Sequence, residues 1–289
     1  MSTAQLMMRP GRGALSRRMA ALGPLATMAA VVCTLLVLAA VVGPFVSPHD
    51  ATALDPLAIL APPSPEHWLG TDNLGRDIFS RLIIGARPSL AGPALVILLS
   101  AVASTLLAIL SAWHGGWVDA VIARVVEVTF AFPGLILAVV AAALFGSGFI
   151  APVIALSIAY VPLLTRVLRT AALKERNLPY IEALRIQGAS SWTICLRHLL
   201  PNLLPLIVVQ SAVGFGYAML DLAAISYLGL GIQPPAPDWG VMVANGQPSI
   251  VGGNPQQSLY AAAVVVAAVI CFNLVGERLA RHFDIEAHA

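Results

Sequence analysis

Long apolar runs separated by short polar stretches dominate this chain, and their lengths read as membrane spans. Six can be placed, at Leu25–Phe45, Leu90–Trp113, Val121–Phe145, Phe149–Leu168, Leu203–Leu228 and Ser258–Leu279. The first resembles a signal peptide in its basic flank. Its apolar run is long enough to cross a bilayer, so it is expected to stay as an anchor. The pattern predicts an all-α polytopic membrane protein of six transmembrane helices. Residues 1–24 form a basic N-terminal segment, 25–45 the first span, 46–89 a polar loop, 90–279 the core carrying spans two to six, and 280–289 a charged tail.

One polar interruption stands apart. Residues 174–201, KERNLPYIEALRIQGASSWTICLRHLLP, lie between the fourth and fifth spans and hold the sole lysine, Lys174. Asn177 and Pro179 suit the cap and first turn of a helix running to about Gln187, which Gly188 ends. Ser190 or Ser191 caps a second helix, in which Trp192, Cys195, Leu196 and Leu199 fall on one apolar face. Pro201 stops that helix or starts the next. The stretch therefore reads as a helical hairpin offered to an aqueous partner, or as an amphipathic linker lying on the membrane. Pro and Gly also punctuate the spans, with Phe132-Pro133-Gly134 in the third and Pro152 and Pro162 in the fourth. These are candidate kinks.

Charge orients the bundle. With the N-terminus inside, the cytoplasmic segments hold Arg9, Arg12, Arg17, Arg18, Arg124, Arg166, Arg169, Lys174, Arg176, Arg185, Arg197, Arg278 and Arg281. Arg76, Arg81 and Arg87 alone fall outside, so thirteen of the sixteen basic residues lie inside. This asymmetry satisfies the positive-inside rule. Both termini and the hairpin are expected in the cytoplasm, with residues 46–89 and Gly229–Gln257 as external loops.

Composition agrees and narrows the function. Apolar residues make up 58% and charged residues 10% of the chain, against roughly 25% charged in a soluble domain. A net charge of +2 gives no reason to expect a nucleic-acid partner. Lys174 is followed by Glu175, so no phosphate-binding loop ending in Lys-Ser or Lys-Thr is present, and no GxSxG elbow marks a hydrolase. No cofactor is implied. His49, His67, His114, His198, His282 and His288 include no pair at helical spacing and no HExxH, and Cys33, Cys195 and Cys271 are isolated. Neither set predicts a metal site. Ionisable residues within spans are few. Glu127 stands three residues from Arg124, as in a structural ion pair, and Asp221 either lines a pathway or sits at the interface. If the chain is a transporter, another subunit is expected to supply the energy.

The hairpin motifs resemble a known family. Glu182-Ala183-Leu184, then Gly188, then Leu200-Pro201 match the spacing of the cytoplasmic EAA loop of ABC-importer permeases, with Leu184 in place of the second Ala. HWLGTDNLGRDIFSRLIIGARPSL (67–90), GGWVDAVIARVVEVTFAFPGLIL (115–137) and ISYLGLGIQPPAPDWGVMVANG (225–246) resemble the C-type permeases of the dipeptide, oligopeptide and nickel importers. The resemblance covers about residues 24–285. It implies a non-catalytic subunit of the bacterial inner membrane that pairs with a second, homologous permease, two cytoplasmic ATP-binding subunits and an extracytoplasmic solute-binding protein. It further implies that Glu182, Ala183, Leu184, Gly188, Leu200 and Pro201 form the ATPase-docking loop. Peptides are the expected cargo, and Asp221 is a candidate for the path. A self-sufficient six-span carrier or channel is the competing reading, and a membrane scaffold a third. No role follows from sequence for GTDNLGRD.

Overall fold

The computed structural model describes residues 23–283 and is helical. Expectations for residues 1–22 and 284–289 therefore lie outside the described residues. The helices are α1 (Gly23–Val46), α2 (Ile78–His114), α3 (Gly116–Phe130), α4 (Gly134–Phe145), α5 (Ile150–Arg176), α6 (Pro179–Ile186), α7 (Ser191–Ile194), α8 (Leu200–Tyr227), α9 (Trp239–Val251) and α10 (Gln256–His282). One π-helical turn, Cys195–Leu199, joins α7 to α8. Among the described residues, five helical stretches are long and apolar enough to cross a membrane. The count reaches six if α3 and α4, which meet at 78°, form one bent span.

The bend falls where Pro and Gly were read as a kink, but it is a break. Pro133 has an extended backbone and the chain leaves α3 after Phe130. A proline offers no N–H and pushes the residue before it out of the helical region. At 15 and 12 residues, neither half reaches the roughly 20 residues a span requires.

Burial is inverted relative to a soluble protein. Large apolar side chains such as Leu35, Leu98, Leu106, Leu144, Ile154 and Ile270 point outward, while small residues line much of the inside. In α2 every fourth position from Gly92 through Val96, Ser100, Ser104 and Ala108 to Ala112 is buried. This stripe lies along α5, where Ser104 donates to the Val161 carbonyl at 3.1 Å. Small side chains let helix backbones approach in lipid, where no hydrophobic force drives them together. One core cluster, around Trp239, Met219 and Met242, joins α2, α8, α9 and α10; another, around Leu156, Val96 and Ile225, joins α2, α4, α5 and α8.

The two polar loops are more ordered than their composition predicts. Helix α2 begins at Ile78, well before the expected Leu90, because Asp77 caps it by accepting from Ser80 N–H at 2.8 Å. Asp72 is the centre of the GTDNLGRD stretch. It accepts from the N–H groups of Leu74 and Arg76 at 2.9 and 3.0 Å and from Arg76 Nε at 2.7 Å, and Arg81 Nε lies 3.6 Å away. Arg81 also donates to the carbonyls of Ala51 at 2.7 Å and Pro235 at 3.4 Å. Gly75 is required here: its φ is +77°, and a Cβ would sit 1.8 Å from the Asp55 carbonyl oxygen. Thus the stretch braces both loops against the start of α2.

The second loop contains α9, which the turn-rich sequence did not suggest. Asp238 caps it through Val241 N–H at 3.2 Å, and the Ser89 hydroxyl donates to Asp238 at 2.9 Å. Burial pushes the Asp238 carboxyl up from the usual range, an effect its hydrogen bonds partly offset. Trp239 completes the clamp by donating from Nε1 to the Leu82 carbonyl at 2.9 Å.

Candidate functional site

The hairpin forms as its residues direct, with two differences. Helix α6 starts with Pro179 at its first position and ends before Gly188, whose φ is +82°. Asn177 ends α5 instead of capping α6. Ser190 caps α7 by accepting from Thr193 N–H at 3.2 Å.

The second difference concerns the apolar face. Ile194, Cys195 and Leu199 are buried, the last two packed with Ala112, Ala172 and Leu203, whereas Trp192 and Leu196 are 72% and 56% exposed. Pro201 stands in the first turn of α8, as the start of the next element, yet it makes no break: Ser191–Tyr227 is one helical run of 37 residues. The π turn permits this. Leu200 N–H reaches back to the Cys195 carbonyl, one residue further than in an α-helix. The widened turn precedes Pro201, whose ring would crowd a regular one. Consequently the hairpin's second arm is the end of the fifth span.

Three sets of contacts fasten the first arm. Ile181, 1% exposed, is its buried side chain. Tyr180 donates to Glu175 Oε1 at 2.6 Å, and Asn202 Nδ2 donates to the same oxygen at 2.6 Å and to the Tyr180 oxygen at 3.1 Å, which ties α5, α6 and α8 together. Partial burial, then the bond to Glu175, push the Tyr180 phenol up to about 12, so it remains a donor throughout the physiological range. Arg185 stacks 4.3 Å above the Trp113 ring, and Arg176 donates to the Ala112 carbonyl, both at the end of α2. Nearby, Arg169 grips Asp119 with two hydrogen bonds of 2.6 and 2.5 Å, joining α5 to α3.

What remains free is the tip. Glu182, Ala183, Ile186, Gln187 and Gly188 are exposed, Ile186 to 82%. Glu182 has no ion-pair partner among the described residues. Leu184 is half-buried. Leu200 and Pro201 sit at the junction of the π turn and α8, on the shaft instead of the tip. A groove of about 150 Å³ lined by Ile109, Trp113, Trp192 and Cys195 opens between the end of α2 and α7. The arrangement is a braced knob whose motion must carry α2, α5 and α8 with it.

Asp221 lies toward the other end of α8. It is half-buried and accepts from Tyr160 of α5 at 2.9 Å. Tyr160 was not legible as a partner, because the two are 61 positions apart. Glu127 pairs with Arg124 at 3.2 Å on the exposed face of α3, as their spacing suggested.

Residues 104–286 match the family described as binding-protein-dependent transport system inner membrane component. The chain is 37% identical over 260 residues to the glutathione transport system permease protein GsiD of Pectobacterium atrosepticum, covering 90% of this chain and 86% of that protein. It is 35% identical over 264 residues to the probable D,D-dipeptide transport system permease protein DdpC of Escherichia coli, covering 91% and 88%. Identity to the dipeptide transport system permease protein DppC of Alkalihalophilus pseudofirmus is 34% over 260 residues, covering 90% and 85%. Its fold is similar to a chain of the MetNI methionine ABC transporter in an inward-facing conformation, with a TM-score of 0.57 and 20% identity over 70% of this chain and 96% of that one.

Proposed function

The chain belongs to the family of binding-protein-dependent transport system inner membrane components, and from that premise we propose that it is the C-type permease of an ATP-driven peptide importer. The observation that carries this reading is the braced knob: an exposed tip, Glu182–Gly188, on a hairpin fastened to three spans. Such a knob suits docking on a cytoplasmic ATPase subunit. Rearrangement of the ATPase pair would displace the tip, and the continuous Ser191–Tyr227 helix would carry the displacement to Asp221. Transmission by a stiff element with several attachment points is mechanical coupling in the ordinary sense.

Orientation follows from the same proposal. The hairpin end is cytoplasmic, and the loops around Asp72 and Asp238 face the solute-binding protein. Of the arginines assigned outside, Arg76 and Arg81 are buried with Asp72, leaving Arg87 exposed. That strengthens the charge asymmetry. A second, homologous permease completes the path.

The cargo we propose is a short peptide. The relatives named for glutathione, D,D-dipeptide and dipeptide transport share a peptide-like substrate with an ammonium group and a carboxylate. To Asp221, held by Tyr160, we assign the role of meeting the ammonium. Asp221→Asn keeps an acceptor for Tyr160 and removes the charge, so it is expected to lower peptide uptake several-fold with membrane insertion unchanged. Identical uptake kinetics in the variant would assign Asp221 to the interface instead.

The whole reading is tested in proteoliposomes. The assembled complex with its binding protein is expected to take up labelled dipeptide only with ATP, and this chain alone to take up none. Uptake by the chain alone without ATP would instead make it a self-sufficient carrier. Competition by glutathione or nickel against dipeptide would rank the cargo classes.

A further inference from the structure

The geometry points to a divalent transition-metal site of the zinc class, formed by His49, His67 and Asp77 where the loop meets the start of α2. One ligating atom from each of the three lies within 4.8 Å of the other two. His67 Nδ1 stands 3.0 Å from Asp77 Oδ1, and His49 Nδ1 stands 3.9 Å from Asp77 Oδ2. Zinc holds imidazole nitrogen and carboxylate oxygen at about 2.0–2.2 Å, which in a tetrahedral site separates ligands by roughly 3.3–3.5 Å. The two observed separations, each to a different oxygen of the carboxylate, are on that scale.

Two further observations favour an ion over a simple hydrogen-bonded cluster. The His49 Nδ1 atom is itself buried and has no hydrogen-bond partner, although it faces a carboxylate. Buried polar atoms without partners are rare. In addition, the backbone that carries each imidazole is fixed by side-chain hydrogen bonds. The His49 N–H donates to Ser80 Oγ at 3.2 Å and its carbonyl accepts from Ser47 at 2.7 Å, while the His67 N–H donates to Ser64 Oγ at 3.0 Å. The rings are 4.9 Å apart, tilted by 38°. Two imidazoles and one carboxylate suit zinc, nickel or copper better than magnesium or calcium, which prefer oxygen. Helical spacing could not reveal the set, because its members come from a turn, a loop and a helix cap.

A bound ion would pin residues 47–49 and 64–67 to the first turn of α2. The test uses the full chain, purified without a histidine tag, stripped with chelator and titrated with Zn²⁺ by equilibrium dialysis. About one Zn²⁺ per chain is expected, with an affinity at least tenfold weaker in His49→Gln and in His67→Gln. His49→Gln is the discriminating variant, since its Nδ1 has no hydrogen bond to lose. Asp77→Asn retains a helix-capping acceptor and is likewise expected to weaken binding. Co²⁺ added in place of Zn²⁺ should give visible absorption bands that the same variants lose. Zinc binding equal in wild type and His49→Gln, or no binding by the wild type, would overturn the site.

Discussion

Gly188→Asp is expected to reduce ATP-dependent uptake at least tenfold while the chain still inserts and folds. The position has φ +82°, and nothing lies within 4 Å of the Cβ that a substitution would add. The space is therefore open, and the backbone conformation is the constraint. Asn and Asp tolerate this left-handed region better than other non-glycine residues, at a cost on the order of 1 kcal/mol. What Asp adds is a charge on the exposed tip, beside Glu182, on the surface proposed to enter the ATPase. Tenfold weaker docking corresponds to about 1.4 kcal/mol, a modest demand for a charge buried on association. Gly188→Asn is the matched control, with the same backbone cost and no charge. The expected order in an ATPase pull-down is wild type, then Asn, then Asp well below. Equal capture of all three would remove Gly188 from the docking surface.

Asp72→Ala is expected to destabilise the chain by about 3–5 kcal/mol, the usual result of removing one partner of a buried ion pair. Arg76 and Arg81 are 3% and 0% exposed, and both guanidinium groups are arranged around this carboxylate. Without it, two positive charges stay buried with no counter-charge, and the N–H groups of Leu74 and Arg76 lose an acceptor. Thermal unfolding in detergent should fall on the order of 10 °C. Because Arg81 also holds Ala51 and Pro235, protease sensitivity should rise in both loops. A melting temperature within 1 °C of wild type would show that the network does not brace them.

The two sites differ in how far sequence alone reveals them. The hairpin tip is legible because its signals are local: Pro179 at a helix start, Gly188 at a positive φ and Ser190 as a cap act within a few residues. The burial of Cys195 and Leu199 without Trp192 and Leu196 was not legible. Apolar residues occupy two adjacent faces of that arm, and packing on Ala112 and Ala172 selects between them. The π turn shifts the register as well. Misplacing the start of α2 has a similar origin. Arg81 and Arg87 read as polar loop, yet a buried arginine is admissible once Asp72, nine positions earlier in the chain, provides its counter-charge. The Asp77 cap beside Ile78 was the overlooked local signal.

By itself, the sequence determined the lipid-facing character of the helices, the loop-borne asymmetry of charge and the hairpin's local geometry. Each depends on hydropathy, on side chains acting over a turn or two, or on counting. Only the tertiary structure decided that the second arm is continuous with the fifth span, that the third span is broken at 78°, and that GTDNLGRD is a buried ionic brace. It also decided that Tyr160 meets Asp221 and that His49, His67 and Asp77 converge. Those outcomes turn on which distant groups satisfy a buried charge or an unpaired polar atom, and in a helical bundle such partners are set by packing, not by proximity along the chain.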